Sequence, residues 1–168
     1  MDVLTHIFLP LTLTYVIKKD FKTRHFPLAL LAILSDFDVF TGVHRGVFHS
    51  LLFLTPLACV ILAAEYVFKR QLKHSALAVG FLFSHIILDL LVGGVPLLYP
   101  LVNCGIGFTF PLIIRFGESI SIADVVPKTI YNTPRPVHGE MDAFSGFGVA
   151  ITAAFLIIYW RTYRERRS

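Results

Sequence analysis

The sequence predicts an all-α, polytopic membrane fold with about four to five spanning or partly re-entrant helices and an irregular loop region. Three observations carry that expectation: hydrophobic residues make up 55% and charged residues 15% of the 168 positions, the apolar residues fall in long runs, and the bases fall between the runs. A soluble domain carries about 45–50% apolar and about 25% charged residues, so a water-soluble monomer is excluded. The net charge of +4 is gathered in Lys18, Lys19, Lys22 and Arg24, in Lys69, Arg70 and Lys73, and in Arg161, Arg164, Arg166 and Arg167. Bases placed at the ends of apolar runs mark membrane flanks rather than a nucleic-acid surface.

The runs are Val3 to Ile17, Phe26 to Phe40, Leu51 to Phe68, Ala76 to Val102 and Phe147 to Trp160. Crossing a bilayer as α-helix takes about 17–25 residues, which the third and fourth runs satisfy. The first two fall short and are expected to be tilted or partly re-entrant, sheltered by protein where they stop. The first is expected to persist as a helix, because Asp2 precedes it and Lys18-Lys19 follow it, the reverse of a cleaved leader. The last reaches span length by taking in Ala143, Phe144 and Tyr163.

Between the last two runs, Gly105, Gly107, Pro111, Gly117, Pro127, Pro134, Pro136 and Gly139 break every long periodicity. The chain therefore reads as a single membrane domain, 1–168, with a helical core over 1–102, a looped or interfacial subregion over 103–146 and a C-terminal transmembrane helix over 147–161. Within the loop, Phe108–Phe116 has the composition of an interfacial piece. Lys and Arg beside short spans favour the cytoplasmic side. One arrangement satisfies all three basic groups, with residues 36–50 and 95–146 on the outer side of the cell membrane. Cys59 and Cys104 form no recognisable redox or disulfide pattern and read as small apolar residues.

Polar residues of one chemical kind interrupt the runs: His6, Asp36, Asp38, His44, His49, His85 and Asp89. Ionisable groups in membrane segments are costly and usually face a functional interior. One histidine alone would be read as a packing residue, but seven His and Asp together point to a metal site. His85 and Asp89 are i, i+4 on one helix face. Asp36 and Asp38, spaced i, i+2, suit a helix end, and Gly42 and Gly46 let the chain turn His44 and His49 back toward them. Imidazole with carboxylate suits Zn first, with Mn or Fe as alternatives, and the number of ligands allows one or two ions. In the two-ion case an aspartate would bridge the pair. Such a centre polarises an ester and acidifies a bound water. Asp36 and Asp38 are the candidates for bridging ligand and general base, and Arg45 is expected either to hold a phosphate oxygen or to form an ion pair with Asp36 or Asp38. Ser35, Ser50 and Ser84 each adjoin a candidate ligand and are expected to support it.

His138, Glu140 and Asp142 form a further candidate set on the loop, or else a solvated entry to the last helix. His25 and His74 read as interfacial, and Glu65 as a snorkelling group or a partner of Lys69.

Thr5-His6, SDFD at Ser35–Asp38, HRGVFHS at His44–Ser50, and SHIILDLLVGG at Ser84–Gly94 followed by LLYP at Leu97–Pro100 resemble the YdjM-like family of membrane-bound metal-dependent hydrolases. The family commonly has PD-x-D where Ser35 precedes Asp36 here, which leaves both acids intact. The resemblance implies a small multi-span protein with a hydrolase-like metal centre, similar in ligand style to zinc-dependent phospholipases C, with His6, Asp36, Asp38, His44, His49, His85 and Asp89 at matching positions. Beyond Pro100 the resemblance is weak, and residues 103–146 inherit no roles from it.

The expected function is thus a divalent-metal-dependent hydrolase in the lipid bilayer, cleaving a phosphoester of a lipid or lipid-linked substrate with metal-activated water. Two alternatives use the same cluster: an ion or metal transporter, for which no repeated half is visible, and a non-catalytic scaffold around a structural metal.

Overall fold

A computed structural model of the chain describes residues 1–18, 21–109, 113–115, 121–123, 128–132, 135–136 and 143–165; for His44, Thr109 and the strand residues from 113 to 136 it describes the backbone alone. The fold is a helical membrane bundle in which, among the described residues, three helices are long and apolar enough to cross a bilayer and one apolar helix is shorter. Helix α1 spans Val3–Ile17, α2 Leu51–Lys69, α3 Lys73–Val92 and α4 Gly146–Glu165. A 3-10 helix, Thr23–Thr41, lies between α1 and α2.

The 3-10 geometry explains how the second run traverses the bundle despite its modest length. At about 2.0 Å rise per residue its 19 residues reach about 38 Å, whereas an α-helix of that length reaches about 28 Å. Three residues per turn place i, i+3 positions in register, and Ala29, Ala32, Ser35 and Asp38 are its buried stripe. Small Ala and Ser side chains there let it lie close against α3, its principal neighbour.

Helix α3 is central, packed against the 3-10 helix, α1, α2 and the first long strand of the loop. It has 39% of its spanning window buried, against 11% for α2 and for α4. Val60, Val67 and Phe68 of α2 and Leu156 and Ile157 of α4 accordingly lie exposed, facing what the bilayer covers. The fourth apolar run does not continue as helix to Val102. It ends at Val92, because Gly93-Gly94 and Pro96 interrupt it and residues 97–101 form turns.

Helix α4 runs parallel to α1, with Ser145 and Gly148 beside Asp2 at one end and Tyr159 against Tyr15 at the other. Asp2 caps α1 by accepting from Thr5 N (3.1 Å) and Thr5 Oγ1 (2.5 Å), and accepts again from Ser145 Oγ at 2.6 Å. Burial opposes its ionisation, but the Ser145 and Thr5 hydrogen bonds outweigh burial and hold its pKa below the ordinary value. Aromatic rings of Tyr15, Phe21, Phe26, Phe155 and Tyr159 fill the basic half of the bundle. Leu54, Leu82, Ile86 and Val95 form a second core beneath the loop.

The loop subregion contains more order than its glycines and prolines suggest. Strands β1 (Val43–His44), β2 (Gly105–Thr109), β3 (Ile113–Arg115), β4 (Ser121–Ala123), β5 (Lys128–Asn132) and β6 (Arg135–Pro136) pair antiparallel as β2–β5, β3–β4 and β1–β6. The β1–β6 pair, His44 opposite Arg135, ties this excursion to the turn preceding His49. Val95 and Ile106 exchange backbone hydrogen bonds at 2.9 Å, and Gly107 lies so close to the Gly93-Gly94 backbone that a Cβ would collide with it. The piece Phe108–Phe116 falls partly outside the described residues.

Candidate metal centre

The five elements alternate in direction, so the start of α1, the end of the 3-10 helix, the start of α2 and the end of α3 meet at one end of the bundle. His6, Asp36, Asp38, His49, His85 and Asp89 come from these termini. His6, Asp38, His49, His85 and Asp89 are buried to 2% exposure or less, and Asp36 is half-buried.

Two groups of side chains converge closely enough to hold a cation: His6, His85 and Asp89, and Asp36, His49 and His85. His6 Nε2 lies 3.4 Å from Asp89 Oδ1, His49 Nε2 3.5 Å from Asp89 Oδ2, and His85 Nε2 3.5 Å from Asp36 Oδ1. His85 Nε2 is 3.1 Å from His49 Nε2. Ordinary hydrogen bonds to nitrogen have their mode near 2.9–3.0 Å. Neighbouring ligands on a tetrahedral ion with bonds of about 2.0–2.1 Å stand about 3.3 Å apart, which the 3.1 to 3.5 Å spacings bracket.

The partners behind the histidines fix which nitrogen faces the cluster. His85 Nδ1 donates to the Ala32 carbonyl at 2.6 Å and His49 Nδ1 to Asp38 Oδ2 at 2.7 Å. A backbone carbonyl only accepts, and Asp38 Oδ2 accepts from Gly46 N as well, so both Nδ1 atoms donate, and in the neutral rings both Nε2 atoms present lone pairs to each other. A cation between them resolves that opposition. Burial pushes the His49 pKa down, but the Asp38 hydrogen bond and then Asp89 outweigh it, leaving His49 with a pKa above the ordinary imidazole value.

Several buried polar atoms of the cluster residues lack a hydrogen-bond partner: His6 Nδ1 and Nε2, Asp36 Oδ2 and Asp89 Oδ1. Buried polar groups are almost always satisfied, so these orphans, the lone-pair opposition and the imidazole–carboxylate chemistry together fit a divalent cation. His85 belongs to both groups, yet its Nδ1 is committed to Ala32, so it offers one lone pair to one ion.

Asp38 differs from the other carboxylates. It accepts from Gly46 N at 2.7 Å, Phe48 N at 2.9 Å and His49 Nδ1 at 2.7 Å. In a 3-10 helix two residues apart is two-thirds of a turn, so Asp36 and Asp38 point to different neighbours. Arg45 has φ 58°, the left-handed region that non-glycine residues rarely occupy. From there its Nε lies 3.2 Å from Asp89 Oδ2 and its Nη1 donates to the Gly94 carbonyl at 2.8 Å. Sterically sparse backbone of this kind concentrates at functional sites.

The backbone of His44 sits in β1, one residue before Arg45, and its side chain lies outside the described residues. His138, Glu140 and Asp142 also lie outside them. Ser50 caps α2 by accepting from Leu52 N at 3.2 Å, Ser84 bonds back to the Phe81 carbonyl at 2.7 Å, and Ser35 Oγ is buried beside the cluster.

Glu65 does not pair with Lys69. It reaches across the α2–α3 turn and accepts from His74 N (3.0 Å), His74 Nδ1 (2.8 Å), Ser75 N (2.7 Å) and Ser75 Oγ (2.7 Å), satisfying the exposed amides that begin α3. His74 is therefore engaged rather than simply solvated, and His25 is buried, with its Nδ1 accepting from Lys22 N at 3.1 Å. The roles of Asp2 and of the Ala32 carbonyl are not among the sequence expectations. Asp three residues before Thr5 was a capping signal that could have identified the first, and a backbone acceptor leaves no residue signature for the second.

The model of the family described as YdjM inner membrane protein matches residues 1–166. No curated protein and no solved structure matches the chain.

Proposed function

The chain belongs to the YdjM inner membrane protein family, and from that premise and the buried His/Asp cluster we propose that it is a divalent-metal-dependent phosphoester hydrolase of lipid or lipid-linked substrates. The observation that carries the proposal is the ligand-like spacing of His6, His49, His85, Asp36 and Asp89, with donor atoms orphaned in a protein interior. His6, His49 and His85 through Nε2, with Asp89, would hold the ion, which is Zn by ligand type, or else Mn or Fe. His44 remains a further candidate ligand. A bound divalent cation supplies Lewis acidity and lowers the pKa of water.

The chain's own residues then divide the work. Asp36 Oδ2, which has no partner, takes the proton of the attacking water. The oxygen forms a bond to phosphorus, the bond from phosphorus to the leaving oxygen breaks, and the proton passes to that oxygen. Arg45 has guanidinium N–H groups beyond those facing Asp89 and Gly94, and these hold a phosphoryl oxygen and its developing charge. Asp38 is a positioning residue that fixes the His49 tautomer. The basic groups lie at the opposite end of the bundle, so positive-inside orientation puts the cluster on the outer side of the membrane.

The test is elemental analysis of detergent-purified protein followed by a panel of lipid and soluble phosphoesters. About one equivalent of metal, with turnover lost on chelation and restored by Zn or Mn, is expected. Bound metal without turnover on any phosphoester overturns the hydrolase reading, and metal flux in liposomes under that outcome establishes the transporter instead. Absence of bound metal after supplementation overturns the centre itself.

A further inference from the structure

At the metal-centre end of the bundle the chain leaves α3 for an excursion that is apolar where it is exposed. Leu98, Leu101, Val102, Ile106 and Phe108 are between 40% and 79% exposed, and they continue the exposed surface of Leu91 and Val92 at the end of α3. No Asp, Glu, Lys, Arg or His stands between Asp89 and Arg115, whereas soluble domains carry a charge at about one position in four. Residues of β2 alternate: Gly105 and Gly107 are buried, Gly107 against the Gly93-Gly94 backbone, and Ile106 and Phe108 are exposed. A strand with one face on a core and the other in water is polar on the second face; this one is not.

We propose that residues 97–108 are seated in the lipid leaflet on the metal-centre side, with these apolar side chains among the head groups and upper acyl chains. Depth selects this occupant. The 19 residues of α2 rise about 28 Å, close to the roughly 30 Å of a bilayer's hydrocarbon core, so Leu51 stands at its edge. Leu51 N and Ser50 Oγ both donate to the Leu97 carbonyl, at 2.8 and 3.2 Å, which pins the turns over 97–101 to that level. The backbone suits lipid. Leu97 N, Tyr99 N and Val102 N donate to the carbonyls of Val95, Pro96 and Leu98 respectively, and Pro96 and Pro100 have no N–H to satisfy. Arg45, whose Nη1 donates to the Gly94 carbonyl at 2.8 Å, is thereby held at the depth of phospholipid head groups. The proposal does not depend on what chemistry the metal centre performs.

Nitroxide labels test it in the full chain, reconstituted in nanodiscs of phosphatidylcholine and phosphatidylglycerol with Cys59→Ala and Cys104→Ala as background. Labels at Leu98→Cys, Leu101→Cys and Phe108→Cys should collide more with oxygen, which concentrates in lipid, than with a water-soluble nickel chelate. Val60→Cys on the exposed face of α2 supplies the lipid reference, and Gln71→Cys in the α2–α3 turn the aqueous one. Far-UV circular dichroism matching wild type reports that each variant is folded. Leu101→Trp with Trp160→Phe gives a second reading without a label, in which lipids with brominated acyl chains should quench the indole emission. Collisions dominated by nickel, or an unquenched indole, overturn the proposal by placing the excursion in water. Low collision rates with both reagents also overturn it, because a second copy or another protein then covers the patch.

Discussion

Substituting Asp38 by Asn separates a ligand from the residue that aims it. Asp38 Oδ2 receives Gly46 N and His49 Nδ1, both at 2.7 Å, and Oδ1 receives Phe48 N at 2.9 Å. Asparagine offers only one oxygen. Its better orientation puts that oxygen at the Oδ2 position, keeping two bonds, and turns the amide NH₂ toward the Phe48 N–H. One bond to a charged acceptor is lost and a donor is left facing a donor, a cost of about 1.5–3 kcal/mol. The His49 tautomer survives, but without a full negative charge behind it the imidazole is a weaker base. Changes behind a ligating histidine cost about 10–100-fold in metal affinity. The variant should therefore unfold at lower temperature, yet still bind one equivalent with weakened Kd, read by competition against a chromogenic chelator. Wild-type affinity in Asp38→Asn would refute the positioning role. Complete loss of metal in a folded Asp38→Asn protein would instead make Asp38 a ligand.

Other expectations follow from the same geometry. His85→Ala removes the one imidazole common to both ligand groups and should abolish stoichiometric metal, measured by elemental analysis, with far-UV circular dichroism unchanged. Metal affinity should fall with acidification beginning above pH 6.5, because His49 holds its proton more tightly than an ordinary imidazole of that value and the proton must leave before the ion binds; a calorimetric pH series reads it, and a flat profile from pH 8 to 6 contradicts it. Gly107→Ala drives a Cβ into the Gly93-Gly94 backbone, which should lower thermal stability by about 1–3 kcal/mol and weaken substrate binding by displacing the carbonyl that holds Arg45. Asp2→Ala should cost about 1 kcal/mol as a lost cap. Because the Asp2 pKa is depressed in the folded chain, that difference should be present above the ordinary carboxyl value of 3.8 and fade as pH falls below it, which unfolding midpoints at two pH values would show.

Apolar runs and basic flanks determined the membrane class, the starts of α1 and α2 and the existence of α4, because burial in lipid requires continuous apolar helix whatever the neighbours do. The residue types of the cluster were equally legible, since His and Asp in lipid-facing sequence carry a cost that only a shared site offsets. The end of α3 was not legible from hydropathy, which continues to Val102, whereas Gly93-Gly94 and Pro96 end the helix at Val92.

The second run was not legible as 3-10 helix from propensity. Its every-third-residue stripe of Ala29, Ala32, Ser35 and Asp38 is the trace of that geometry, and packing against α3 selected it. Likewise the β2–β5 and β1–β6 pairs join residues 19 to 93 apart in sequence, and such pairings leave little local pattern. Sequence thus determined that His and Asp had to gather, through the cost of isolated charge in an apolar medium. Only tertiary structure decided their division of labour, because Asp36 and Asp38 are chemically identical until three donors from Gly46, Phe48 and His49 saturate one of them and leave the other facing His85.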